Sequence, residues 1–380
     1  MRLSLFICIA TLLGCAHQNH VPTHTASSIP DDTVLIVVND PRPERLRTNS
    51  YGTKYSAPIA YAHDPQLKRL SQSIAQDYDQ EVLLEWPLES LSVHCFVIKR
   101  PDAITLAKLN NDPRVAWVQP FNTHTLKTSV ASKAISRATA PPNPLPIAGD
   151  AAGVRLTVID TGADLQHQDL SNKSIFYRDL VARPTDVNHG HNESHGTSIL
   201  GLLAAQPKAD AIIEGIASGA TFQHLRGCWE EEGIGRCNTF TLALALEAAI
   251  DWQPAIINLS LSGPSDRVLD ALIARLTDSG TLVVSAFDDE RELDSRFPSP
   301  SDHVIYAMAG QTMKPHPDYA HCFVAPGHAF SLSPMNEYRL VSGHSVATPY
   351  LTAALARLVA NGTNLSGPDL VQRLNHALIQ

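Results

Sequence analysis

The chain has 380 residues, 44% of them hydrophobic and 18% charged, long enough for two domains and ordinary for a protein that builds its own core. Its 29 Lys and Arg against 38 Asp and Glu leave a formal net charge of -9, with no basic stripe, which argues against nucleic acid as a partner. No stretch reaches the roughly 20 apolar residues that a membrane-spanning helix needs.

Met1-Arg2 is a short basic head, and Leu3 to Leu13 is an apolar run of 11 residues. Residues 1–14 therefore read as an export signal, too short to span. Gly14-Cys15 resembles the lipobox of bacterial lipoproteins, which implies cleavage before Cys15 and lipid on its side chain. Leu13 is not the favoured residue there, and a plain signal peptide cut elsewhere stays as the alternative. Ala16 after the cysteine resembles lipoproteins sorted to an outer membrane. The expected location is the bacterial cell envelope, facing periplasm or surface, with a released catalytic domain as the variant. Residues 15–31 are polar and read as a tether.

Structure is expected from Thr33-Val-Leu-Ile-Val-Val38, a strand-like run. Leu67, Leu70, Ile74 and Tyr78 recur at spacings of three and four, the period of an amphipathic helix. Val82-Leu83-Leu84 and Val93 to Ile98 read as strands with a Pro-containing turn between them. Ile104 to Leu109 reads as a short helix that Asp112-Pro113 ends, and Arg114 to Val118 as a last strand. The sum over residues 32–120 is a small α+β split βαβ (ferredoxin-like) domain. Residues 121–150 are rich in Thr, Ser, Ala and Pro and read as a linker.

From residue 151 to 380 strands alternate with helices. The strand candidates are Val154–Ile159, Thr221–Leu225, Ala255–Leu259, Thr281–Ala286 and Val304–Met308. The helix candidates are Gly196–Ala205, Thr239–Ile250, Arg267–Leu276, Val346–Val359 and Pro368–Leu378. Short, continuous apolar strands fit a sheet buried on both faces. The expected fold is a doubly wound, mostly parallel α/β sheet whose functional residues sit at the carboxyl ends of strands. Cys228 and Cys237 flank a polar loop and are expected to form a disulfide, which export permits. Cys95 and Cys322 read as small buried apolar residues.

Three strings carry chemistry: Val158-Ile-Asp-Thr-Gly162, Ser194-His-Gly-Thr-Ser198 and Ser342-Gly-His-Ser-Val-Ala-Thr-Pro349. They supply Asp160, His195 and Ser345, spaced 35 and 150 residues apart. Serine is a weak nucleophile and needs a base. His195 would take its proton, and Asp160 would hold the imidazole's tautomer. Singly, each has a plain reading as a turn former, a surface histidine or a helix cap. Together, the order Asp…His…Ser is that of the subtilisin type.

On these residues the chain resembles the subtilase family of serine proteases over about 240 residues. Asp160-Thr161-Gly162, His195-Gly196-Thr197, Ala325-Pro326-Gly327 and Gly343-x-Ser345-x-Ala347-x-Pro349 are similar to its signature segments. Asn258 to Pro264 resembles the family's substrate-binding strand, which implies that Ser260, Leu261, Ser262 and Gly263 pair with extended peptide. Residues 32–120 resemble its inhibitory propeptide, so the chain's own N-terminal domain is an expected intramolecular inhibitor or chaperone; an unrelated α/β adapter is the alternative. The linker is where such a propeptide would be cut.

Departures from the family pattern carry weight too. Asp288 and Asp289 stand where the resemblance implies Gly and the oxyanion-binding Asn. An ionised carboxylate cannot donate a hydrogen bond, and losing one such donor costs about 10²–10³ in rate. A protonated Asp289, another donor, or the Ser345 backbone N–H alone would rescue activity, and a minority of subtilases carry Asp there. His344 reads as a solvent-facing residue, and Ser262 replaces a glycine of the first specificity pocket. Residues 206–214 lack the family's Asn-rich loop, and Asp169 alone is a poor cage, so no calcium site is expected. Neighbours in the stretch His189 to Glu193 would not converge on an ion. No metal or other cofactor is expected.

These readings point to an exported, lipid-anchored serine endopeptidase acting on peptides or proteins. The alternative is a weakened or inactive subtilase-fold module that binds peptide, motivated by Asp289. A lipase on an α/β-hydrolase fold would need the order Ser…Asp…His.

Overall fold

The computed structural model describes residues 29–30, 32–40, 65–126, 129–130, 145, 147–181, 193–206, 213–319, 321–362 and 372–377. The export signal, Cys15, most of the tether and the stretch 189–192 lie outside these.

The first unit contains strands β1 (Thr33–Asn39), β2 (Leu84–Leu88), β3 (Val93–Lys99) and β4 (Val115–Pro120), with helices α1 (Pro65–Asp77) and α2 (Ala103–Asn110). Its antiparallel sheet has the order β2-β3-β1-β4. Alternate residues serve opposite faces of a strand. Val34, Ile36 and Val38 of β1 pack with Ile74 of α1 and Leu109 of α2. Leu35 and Val37 point the other way, into a cluster shared with Trp86, Phe240, Leu244 and Leu272. Both faces are covered, which is why β1 reads as an unbroken apolar run. Pro87, expected in a turn, lies inside β2. That strand is at the sheet's edge, where a missing N–H costs least. The turn comes later, at Glu89–Leu91.

The second unit runs through β5 (Thr123–Leu126), β6 (Ser129–Val130), β7 (Arg155–Asp160), β8 (Ile175–Asp179), α3 (Ser194–Ala204), β9 (Thr221–Arg226), β10 (Cys228–Glu231), β11 (Ile234–Asn238) and α4 (Thr239–Trp252). It continues with β12 (Ile256–Leu259), β13 (Gly263–Pro264), α5 (Arg267–Asp278), β14 (Leu282–Ala286), β15 (Arg296–Phe297), β16 (Val304–Gly310), β17 (Lys314–Pro315), β18 (Cys322–Pro326), β19 (His328–Ser333), β20 (Glu337–Ser342) and α6 (His344–Ala360). Eight strands form one sheet in the order β17-β18-β16-β14-β12-β7-β9-β8, parallel except for the β17 edge. The connection leaving β7 goes to one side, to β8 and β9, and the one leaving β12 goes to the other, to β14, so the crevice beyond the β7 and β12 ends is a topological switch point. The five expected central strands lie within one or two residues of their observed bounds. Strand β8 and the hairpins carry polar residues and lacked the apolar run used to find strands.

Cys228 and Cys237 face each other across β10 and β11 and are disulfide-bonded. Cys95 and Cys322 are buried and unbonded. The stretch 121–150 departs from the expected linker: β5 pairs with β11, and β6 pairs with β20. Phe121, His124 and Leu126 are buried. Its overall polar composition hid this, because the apolar residues that anchor its start, Phe121 and Leu126, are isolated among Thr, Ser, Ala and Pro.

Candidate active site

Asp160 ends β7, and His195 follows the first residue of α3. Gly196 is what lets α3 come this close: a Cβ there would lie 2.3 Å from the Thr161 carbonyl oxygen. His195 Nδ1 and Asp160 Oδ1 are 2.6 Å apart, and both residues are buried. The ionised carboxylate can only accept, so Nδ1 carries the proton and Nε2 is the free base. Asp160 Oδ1 also accepts the Thr161 N–H at 2.7 Å.

Ser345 lies in the first turn of α6. Gly343 before the helix adopts φ 133°, a conformation that disfavours side chains. The Ser345 hydroxyl donates to the Ser260 carbonyl at 2.8 Å. His195 Nε2 is buried and accepts no hydrogen bond. The hydroxyl is turned to Ser260 and is not held by the histidine as expected from sequence. Such bonds often tighten only with substrate bound. Ser260 Oγ donates back to the Ser345 carbonyl at 3.1 Å and accepts from Asn258 Nδ2 at 2.9 Å, and Thr352 anchors Asn258.

Leu261 is buried, its carbonyl accepting the Ser285 hydroxyl at 2.8 Å. Ser262 forms an antiparallel bridge with Thr125, and Gly263 pairs with Phe297. Strand β5 thus lies between β11 and the edge at Ser262, alongside the residues expected from sequence to pair with extended peptide. On the far side Ser129 pairs with Ser342, three residues before Ser345.

Asp289 falls just beyond β14, with its side chain 63% exposed and Oδ2 3.6 Å from His344 Nε2. The Ala309 N–H donates to His344 Nδ1 at 2.9 Å. That assigns the neutral ring's proton to Nε2, facing Asp289. The expected solvent-facing histidine is instead held between backbone and carboxylate, next to the nucleophile candidate. Asp288 is buried, with Arg291 Nη1 2.5 Å from its Oδ2.

Several residues of this site were missed from sequence. Glu230 Oε1 accepts the N–H groups of Ser194 and His195 at 2.8 and 2.6 Å. Glu193 accepts from Gly162 N–H and binds Arg226 Nη2 at 2.5 Å. Arg226 is buried and also binds Asp179 at 2.9 Å. Burial opposes its charge, and the Glu193 bonds with the Glu193 and Asp179 charges overcome it, so its pKa is raised. His224 donates Nε2–H to the Thr161 carbonyl at 2.8 Å, with its pKa lowered by burial. Nothing in local sequence ties these residues to His195; they come from separate strands and loops. Away from this site, Asp169 accepts the Tyr338 hydroxyl at 2.7 Å. Among the described residues no helix is long and apolar enough to cross a membrane.

A mostly parallel α/β sheet carrying this Asp–His couple and a helix-terminal serine at its switch point defines a subtilisin-like fold. The chain belongs to the subtilase family, peptidase S8, whose profile matches residues 151–378. It is 28% identical over 221 residues to the major intracellular serine protease of Bacillus subtilis, covering 53% of this chain and 67% of that one. It is 27% identical to an extracellular serine proteinase of a Thermus strain, covering 66% of this chain and 63% of that one. A thermostable alkaline protease of Halalkalibacterium halodurans is 26% identical, over 80% of this chain and 82% of its own length. In fold the chain resembles fervidolysin of Fervidobacterium pennivorans, described as a keratinolytic enzyme, with a TM-score of 0.60 and 17% identity. That similarity spans 89% of this chain and 56% of fervidolysin.

Proposed function

We propose that this subtilase is an active serine endopeptidase, exported and lipid-anchored at Cys15, with Asp160, His195 and Ser345 as its triad. The observation that carries the reading is the 2.6 Å Asp160–His195 contact, which sets the tautomer that makes Nε2 a base. For reaction the Ser345 hydroxyl leaves Ser260 and bonds to His195 Nε2. The proton moves to Nε2 as Oγ attacks the peptide carbonyl carbon. The resulting oxyanion meets the Ser345 N–H at the positive end of α6. His195 then gives its proton to the leaving amine, and water repeats the sequence on the acyl-enzyme. Ser260 to Gly263 hold extended peptide.

The N-terminal unit acts as an intramolecular inhibitor or chaperone. Supporting this are its shared core with α4 and α5, the Gln119 Nε2 donation to Asp266 at 2.8 Å, and the paired strands β5 and β6. The stretch 121–150 remains the expected processing region. Asp289 keeps a second reading alive, a peptide-binding module with little turnover.

The test is labelling by a fluorophosphonate probe, with Ser345→Ala as control. Labelling of the native chain alone supports the enzyme; a folded chain that never labels removes it. Mass spectrometry of the mature N-terminus reads the lipid at Cys15 and cleavage within 121–150 in the same sample.

A further inference from the structure

His124 is the residue of β5 that the peptide-like placement does not explain. It is fully buried, and neither ring nitrogen has a hydrogen-bond partner. Its ring stands edge-on to Phe297 at 5.2 Å between centroids. It also presses on Gly263, where an added Cβ would come within 2.2 Å of Nδ1. Only a residue without a side chain leaves this space, so the pocket between Gly263 and Phe297 is shaped to the imidazole. A buried polar ring with no partner costs stability. Phenylalanine or leucine would fill an apolar pocket without that cost. The imidazole differs from both in one property: it can acquire charge near neutral pH.

The charged groups around it do not offset such a charge. Asp266, at the start of α5, favours the imidazolium. Its carboxylate is already engaged by Gln119, Asn122, Thr239 and the Leu269 N–H. Arg291, beyond β14, opposes it. Arg236, opposite Thr125 on β11, is tied to Glu231 at 3.0 Å. Arg296, beside Phe297, stands over Phe287 with its guanidinium carbon 4.5 Å from the ring centroid.

We infer that His124 is an acid-released plug of the peptide cleft: neutral, it seats β5 beside Ser262; protonated, it unseats the segment and opens the cleft. The inference rests on reading that cleft as the peptide-binding site, and it adds a regulatory input, proton concentration, to self-inhibition. Burial, with a smaller push from Arg291, lowers the imidazole from 6.5 to about 4 in the seated state. An unseated histidine titrates near its ordinary value, about 6.5. The contribution of His124 to seating is therefore complete above pH 6.5. It is lost progressively as pH falls from there toward 4. With those two values the seating equilibrium weakens about 30-fold between pH 7.5 and pH 5.

The experiment uses the full chain carrying Ser345→Ala, so that nothing can be cut. Hydrogen exchange at residues 121–126, corrected for intrinsic rates, is followed from pH 7.5 to 5. The β7 amides serve as the internal reference. Protection of 121–126 is expected to fall about 30-fold while β7 holds, and His124→Phe is expected to remove this pH dependence. Should the Phe variant not fold, the His124 ring titration in the Ser345→Ala chain replaces it, with a midpoint expected well below 6. Equal loss in β7, unchanged protection of 121–126, or a ring midpoint near 6.5 overturns the inference. Exchange needs no catalysis, whereas fluorophosphonate labelling does. Acid release without labelling at any pH would remove the proposed enzyme and leave the plug standing; labelling with flat exchange would do the reverse.

Discussion

Glu230→Ala should damage the active site from a residue that touches no substrate. The first N–H groups of any helix lack intrahelical acceptors. At α3 the N-cap residue, Glu193, makes no side-chain capping bond. Glu230, from the disulfide-closed hairpin, supplies the acceptor instead, at 2.8 Å to Ser194 and 2.6 Å to His195. Hydrogen bonds to a charged partner contribute about 1.5–3 kcal/mol each. The neighbouring Glu193 carboxylate repels Glu230 and takes part of that back. A net loss of about 2–3 kcal/mol is expected, which lowers the melting temperature by roughly 3–6 °C in a chain of this size. The same loss frees the backbone that carries His195. A misplacement of about 1 Å costs on the order of 10² in rate, so kcat should fall more than KM rises. Glu230→Gln keeps an acceptor oxygen and should recover most of both. Thermal melting and steady-state cleavage of a fluorogenic peptide read the two effects. An Ala variant within 0.5 kcal/mol and twofold of the parent would refute the reasoning. So would a Gln variant as impaired as Ala.

Asp289→Asn restores an amide donor beside Ser345, and kcat/KM is expected to rise by about 10-fold or more, up to the 10²–10³ of a full oxyanion donor. No gain in the labelling rate would mean that another group already holds the oxyanion. Replacing Cys228 and Cys237 by Ser opens a cross-link spanning nine residues of sequence separation. Loop-closure entropy puts the loss at about 2–3 kcal/mol. Because this hairpin carries both Glu230 and the β11 wall against β5, dithiothreitol should lower peptide affinity and melting temperature together; a change in one alone would contradict the coupling.

The positions of Asp160, His195 and Ser345 could be read from the chain because each lies within two residues of a glycine at the edge of a strand or helix. Short-range rules govern both features: Gly343 supplies a backbone few other residues adopt, and Gly196 a close approach. The central strands were readable for the same reason, since a strand buried on both faces is apolar throughout. The β10–β11 hairpin, β8 and β5 were not, because each is short and mixes apolar with charged or polar residues, so none carries a continuous apolar run.

The chain alone determined the fold class, the family resemblance and the order of the three chemical residues, all properties of local pattern and spacing. Tertiary structure decided what surrounds them. It turned the Ser345 hydroxyl to Ser260, brought His344 to Asp289, capped His195 with Glu230 and seated a supposed linker beside Ser262. Each of these joins residues many positions apart whose types are individually unremarkable. Their meaning comes from a shared location, which a hydrogen bond or a buried ring expresses only once the chain has folded.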